Sequence, residues 1–168
     1  ALLEDDGTVI LKGAALKSRG LEPFLRDYLR EWLTLTLHGR AGEIPAMTAR
    51  RREDLAARRL PVAALAKTEV LSDSPATYQK KREAGGKSRQ PAYEVALASG
   101  REYQAGDAVS YYVTGEKKSV PVHAFAKLAA AFDPAHRDEN PAYYLAKLDA
   151  LVKKLDARAP ETIEPADD

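Results

Sequence analysis

Four prolines cut this chain into short helices, and that punctuation constrains the fold more than any other feature of the sequence. Pro23, Pro75, Pro91 and Pro141 each open a stretch of apolar residues at helical spacing, where the missing N–H of proline costs little because the first turn has no intrahelical acceptor for it. After Pro23 the apolar positions Leu21, Phe24, Leu25, Tyr28, Leu29 and Trp32 recur at helical spacing and end near Leu35. Ser72-Asp73-Ser74 precedes Pro75 as a capping segment for a short helix carrying Tyr78, Lys80, Lys81 and Arg82. Gln90-Pro91 opens a helix with Tyr93, Val95, Ala96 and Leu97 that Gly100 stops, and Asn140-Pro141 opens one with Tyr144, Leu145, Leu148, Leu151, Val152 and Leu155 on one stripe. A further helix over about 46–59 is rich in arginine and weakly apolar, and Pro61 closes it. Its Arg50-Arg51-Arg52 and Arg58-Arg59 read as solvated residues or as a docking face.

Between these helices the pattern changes to strands. Leu2-Leu3 and Thr8-Val9-Ile10-Leu11 flank Asp5-Asp6-Gly7, a hairpin signal because glycine tolerates the positive φ of the turn. Lys67–Leu71 reads as a short strand, and Val109–Thr114 as another, introduced by a Gly106-Asp107 turn. Residues 121–132 read as a strand running into a short helix. Gly85-Gly86-Lys87-Ser88-Arg89 is a basic loop, and the acidic stretch beyond Pro160 reads as loose. The expected fold is α+β and mainly helical: an N-terminal β-hairpin followed by a helical unit with short strands. No internal repeat is present.

Composition narrows the chemistry. The chain of 168 residues has 26 Lys and Arg against 25 Asp and Glu and no cysteine. Disulfides and zinc–thiolate sites are therefore ruled out, which fits a reducing compartment. No run reaches the roughly 18 apolar residues that a membrane span needs. The N-terminus has no signal-peptide pattern and no initiator Met, and the expectation is a fragment of a larger protein. The near-neutral total hides an asymmetry: residues 78–101 hold six basic residues against two acidic, whereas 156–168 hold five acids and one arginine. The histidines His38, His123 and His136 stand isolated, with no partner at metal-ligand spacing. Gly85-Gly86-Lys87-Ser88 is like the end of a phosphate-binding P-loop, but Lys81 occupies the position of the required earlier glycine. Asp5-Asp6 and Asp138-Glu139 fit turn and capping roles better than a metal pair. No nucleophile has a recognisable partner.

Three blocks in order resemble the C-terminal region of family B DNA polymerases. Leu2-Leu3 through Asp6-Gly7-Thr8-Val9-Ile10-Leu11-Lys12-Gly13 is similar to the hairpin after the family's Lys-Lys-x-Tyr element, and Lys17-Ser18-Arg19 stands where the family has a basic pair. The following Asp-Trp of the family is Gly20-Leu21 here. Lys67-Thr68-Glu69-Val70-Leu71, Tyr78-Gln79-Lys80 and Gln90-Pro91-Ala92-Tyr93-Glu94-Val95-Ala96 resemble thumb elements of that family, with Ala92 in place of its histidine. Gly106-Asp107 with Val109, Tyr111 and Val113 is similar to its Gly-Asp-x-Val-x-Tyr strand. Phe132-Asp133-Pro134 and Asp138-Glu139-Asn140-Pro141-Ala142-Tyr143-Tyr144-Leu145 resemble its Asp-x-x-Tyr-Tyr helix.

The resemblance implies a palm-edge hairpin at 1–20, a helical segment at 21–66, a thumb at 67–156 and a loose acidic tail at 157–168. It implies a thumb that holds primer–template duplex DNA through phosphate contacts, in replication or repair, with Lys67, Tyr78, Lys80, Lys81, Arg82, Lys87, Arg89 and Tyr93 as the DNA-binding residues. The Asp-Thr-Asp motif, the fingers helix and the exonuclease acids of the family are not in this sequence. Mg2+ would therefore belong to a palm outside it, this chain would bind no cofactor and would be inactive alone, and its partners would be the duplex and the remaining palm, fingers and exonuclease parts. The expected location is the cytoplasm, at the nucleoid and away from membranes. The alternatives are a free-standing non-catalytic nucleic-acid-binding module and a subunit of a split polymerase.

Overall fold

The computed structural model describes residues 20–85 and 89–163. The N-terminal hairpin, Lys17 to Arg19 and Lys87 lie outside the described residues, as do the last residues of the acidic tail.

Helix α1, Pro23–Leu37, buries Phe24, Leu25, Tyr28, Leu29, Trp32, Leu33 and Leu35, the face that the apolar spacing marks. Its first N–H groups are held by the Glu22 carbonyl, which accepts from Leu25 and Arg26 at 3.0 and 3.1 Å, so proline at the first turn sacrifices no bond. A 3-10 turn at Ala41–Glu43 leads to helix α2, Ile44–Ala56. This helix ends earlier than Pro61 suggests. Arg58 takes the left-handed conformation at φ 57°, and the Arg59 N–H reaches back to the Asp54 carbonyl at 2.9 Å. The arginines of α2 pack onto neighbouring helices of the same chain: Arg51 pairs with Glu31 of α1, and Arg52 with Asp149 of the C-terminal helix. Only Met47 and Leu55 of α2 are buried, and Thr48 meets the Tyr28 hydroxyl at 2.7 Å.

One helical turn, α3 (Val62–Leu65), introduces strand β1, Lys67–Val70. Helices α4 (Pro75–Glu83) and α5 (Pro91–Ser99) follow, then strand β2, Ala108–Val113. In the segment 121–132 the expected strand running into a short helix is present, with an additional helical turn before it. A helical turn, α6 (Val122–Phe125), comes first, then strand β3 (Ala126–Leu128), then a 3-10 turn at Ala129–Ala131. The strand position is set by pairing with β2, a long-range choice that local periodicity does not encode. The sheet has the order β1-β2-β3, antiparallel throughout, with Lys67 opposite Tyr111 and Tyr111 opposite Leu128. Helix α7, Pro141–Ile163, continues through Pro160. Proline's fixed φ of about −65° is itself helical, although the ring forfeits one backbone bond. The α+β, mainly helical architecture expected from the sequence is the one observed.

Two hydrophobic clusters share β2. The first gathers α1, α2, Leu65, Val113 and the α7 stripe Tyr144, Leu148, Leu151 and Leu155. The second gathers Leu71, Tyr78, Ala92, Tyr93, Val95, Ala96, Val109 and Tyr111 around α4 and α5. Alternation along β2 keeps Val109, Tyr111 and Val113 on one face, so consecutive positions of that face serve both clusters. Asn140 locks the junction. Fully buried, it accepts from the Tyr143 N–H at 3.0 Å as the N-cap of α7, and it donates to the carbonyls of Thr114 at 3.2 Å and Lys117 at 2.9 Å. The capping role that Asp138-Glu139 suggests thus belongs to Asn140. Asp138 instead accepts from Tyr112 at 2.7 Å and Lys127 at 2.8 Å, and Glu139 is held by Arg137.

Candidate nucleic-acid interface

Helix α4 begins as its capping segment indicates: Ser74 Oγ accepts the Thr77 N–H at 3.2 Å. From there the helix turns Tyr78 inward against α5, where its ring stacks on Tyr93 with centroids 4.3 Å apart and planes 10° from parallel. Both rings are buried, and both hydroxyls are engaged inside the protein. Tyr93 Oη accepts the backbone N–H groups of Ser72 and Asp73, each at 3.0 Å, which fixes the corner between β1 and α4. Tyr78 Oη donates to Glu94 at 2.6 Å and accepts the Gln90 N–H at 2.9 Å. Two of the residues expected to touch DNA are therefore core residues that hold the pair of helices together. The reason is periodicity: Tyr78 lies on the face of α4 that packs against α5.

Glu94 organises the cations around this pair. Arg82 donates to its carboxylate, and Arg89 donates to its other oxygen at 3.2 Å. Burial works against the charged form of Glu94. The hydrogen bonds from Tyr78 and Arg82 and the charges of Arg82 and Arg89 outweigh burial and hold its carboxyl below the usual range. Burial, then the hydrogen bond to Glu94, pushes the Tyr78 hydroxyl the other way. In the sequence Glu94 reads only as one of two acids diluting a basic stretch. Its role depends on a contact between two helices, which no short-range spacing rule reports.

The remaining cations divide by position. Lys80 is exposed and has no ion-pair partner among the described residues. Lys81 is exposed too and meets Asp73 at 3.0 Å, both ends in solvent, a surface pair of the kind that contributes little and exchanges readily. Arg89 keeps half of its side chain in solvent. Lys67 stands apart from α4: it lines a cavity of about 210 Å³ between the two clusters, together with Glu22, Glu69, Tyr111, Tyr143 and Tyr144. Burial, then the charge of Glu22, pushes the Tyr143 hydroxyl up to about 12. The structure thus brings Tyr78, Arg82, Arg89 and Tyr93 together around Glu94, sets Lys80 and Lys81 on the outer surface of the same helix pair, and places Lys67 elsewhere.

No group of His, Asp or Glu side chains among the described residues is arranged to hold a metal ion. None of the described helices is long and apolar enough to cross a membrane. No protein-family model matches the sequence, and no curated protein matches it.

Proposed function

We propose that this chain is a thumb-like module of a family B DNA polymerase, or a free-standing relative of one, that grips duplex DNA by its phosphate backbone. The observation that carries the reading is where the residues of the resemblance lie. Lys67–Val70 pairs with the strand that follows Gly106-Asp107, and the segments around Tyr78 and Tyr93 stack on each other above it. The Tyr143-Tyr144 helix start is tied to that strand by Tyr144 Oη, which accepts the Val113 N–H at 2.8 Å. That the segments carrying the resemblance share one sheet is what supports the reading.

The gripping surface in this reading is the outer side of α4 and the corner before α5. Lys80, Lys81 and Arg89 meet phosphates there, while Arg82 is positioned by Glu94 and supports them. Such contacts carry no base information, so binding is indifferent to sequence and steeply dependent on salt. Catalysis would come from a palm that this chain does not contain.

The test is a salt titration of binding to a recessed primer–template duplex, with wild type and a Lys80→Ala/Lys81→Ala/Arg89→Ala variant. Loss of three phosphate contacts flattens the slope of log affinity against log salt by about 2.7, at about 0.9 per contact. Wild type that fails to bind even at low salt refutes the reading. An unchanged slope in the variant refutes the assignment of the surface.

A further inference from the structure

The cavity between the two clusters holds charge that the fold leaves largely unused. Strand β1 alternates, with Lys67 and Glu69 half-buried and Thr68 and Val70 exposed. Lys67 and Glu69 therefore share the inner face of the sheet with Tyr111, which stands opposite Lys67. Glu69 accepts the Tyr111 hydroxyl at 2.5 Å and has no ion-pair partner among the described residues. Glu22 lines the same cavity from the start of α1. It is the N-cap residue of that helix, but only its backbone caps, and its carboxylate accepts no hydrogen bond from a described residue. Although Glu22 is only 4% exposed, its one ion-pair partner among those residues is Lys147, at 3.5 Å. A carboxylate has about four lone-pair sites, and a buried one left short of partners is costly.

The tyrosines on the wall respond to this charge. Burial, then the hydrogen bond and charge of Glu69 and the charge of Glu22, pushes the Tyr111 hydroxyl up. Tyr143 rises to about 12 through burial and Glu22, and Tyr144 rises through burial and Glu22 against the hydrogen bond from Val113. Lys67 lines the cavity too, yet no cation draws any of the three back down, so the end where the hydroxyls lie is negative. Lys147 shows how such walls receive an ammonium: its Nζ is 3.5 Å from Glu22 and 5.4 Å from the centre of the Tyr143 ring. The cavity volume of about 210 Å³ exceeds the roughly 150 Å³ in which an apolar cavity holds one benzene. Leu65, Val113 and Val122 add an apolar wall for a short alkyl chain. We propose that this cavity binds a small organic ammonium ion, whose charge Glu22 and Glu69 neutralise and whose alkyl part lies against Tyr111, Tyr143 and the apolar wall. This site is separate from the duplex-gripping surface, and its test uses no DNA.

The probe is n-butylammonium, with butan-1-ol as its neutral counterpart and butyrate as its anionic one, each titrated into the full chain at neutral pH and followed by NMR. Butylammonium should bind at least about tenfold more tightly than either counterpart and give nuclear Overhauser contacts to the Tyr111 and Tyr143 rings. Glu69→Gln keeps an acceptor for the Tyr111 hydroxyl and removes only the charge, and it should weaken butylammonium binding about tenfold or more. Glu83→Gln removes the same charge from the exposed end of α4, outside the cavity, and should leave the affinity unchanged. Circular dichroism verifies the fold of both variants. Butan-1-ol that binds as tightly overturns the proposal, because shape then suffices, and a preference for butyrate overturns it, because Lys67 then sets the field. Wild-type affinity in Glu69→Gln, or binding without contacts to the two rings, also overturns it. Failure of every probe to bind means that the cavity holds only water and refutes it too. The comparison of probes and the ring contacts need only wild type, so the test stands even where a variant fails to fold. Every one of these results leaves the duplex-gripping reading to its own salt titration.

Discussion

Tyr93 separates a structural role from a DNA contact more cleanly than any other residue in this chain. Its ring is stacked on Tyr78 within the second cluster, and its hydroxyl accepts the N–H groups of Ser72 and Asp73 at 3.0 Å each. Tyr93→Phe keeps the ring and the stack and removes only that acceptor. Two backbone donors at the β1–α4 corner then lose their partner. A part-buried donor left unpaired costs about 1 kcal/mol or more, and water reaches this corner in part, so the variant should lose about 1–3 kcal/mol. For a domain of this size that lowers Tm by roughly 2–12 °C. Urea denaturation followed by circular dichroism reads the change as a shift in midpoint with the m-value unaltered. Duplex affinity, measured where both proteins are folded, should stay at the wild-type value, because the hydroxyl points inward. A variant as stable as wild type with weakened DNA binding would refute the placement of Tyr93 and restore it to the surface.

Two further outcomes follow from the polar core. Arg137 pairs with Glu139, whose side chain is 3% exposed, and also donates to the Leu60 carbonyl; Arg137→Ala leaves that carboxylate buried without a cation and should cost about 3 kcal/mol or more. The double variant with Glu139→Ala should recover part of the loss in a double-mutant cycle read by chemical denaturation. Glu94 is one pH-sensitive element of the second cluster. Its folded pKa lies below the ordinary 4.5, so its stabilising effect is complete above that value and disappears as pH falls through the lower folded value. Glu94→Gln should therefore be less stable than wild type at neutral pH, with the gap closing under acid; a gap that stays constant down to pH 2 would show that the carboxylate charge is not what matters.

Much of this fold was legible because it is written in short-range chemistry. Pro23, Pro75, Pro91 and Pro141 open helices in the structure as they do in the sequence, since a fixed φ and a missing N–H act within a single turn. Gly100 stops α5 in the left-handed conformation at φ 76° for the same local reason. The outward position of Lys80 was also readable, because the helix period that buries Tyr78 sends a residue two positions on to the opposite side. In segment 121–132 the strand running into a short helix was legible, but not the helical turn before it nor where the strand begins, which pairing with β2 sets.

The sequence by itself determined the helix starts, the apolar stripes, the absence of cysteine chemistry and the location of the basic stretch. Each depends on neighbours within a few residues. Only the tertiary structure decided which tyrosines are core, that Glu94 gathers Arg82 and Arg89, that Lys67 faces a cavity, and that Asn140 anchors a lysine loop 23 residues before it. These are contacts between groups far apart in the chain. Their partners are chosen when the two clusters close on the shared strand β2, and no residue carries that choice alone.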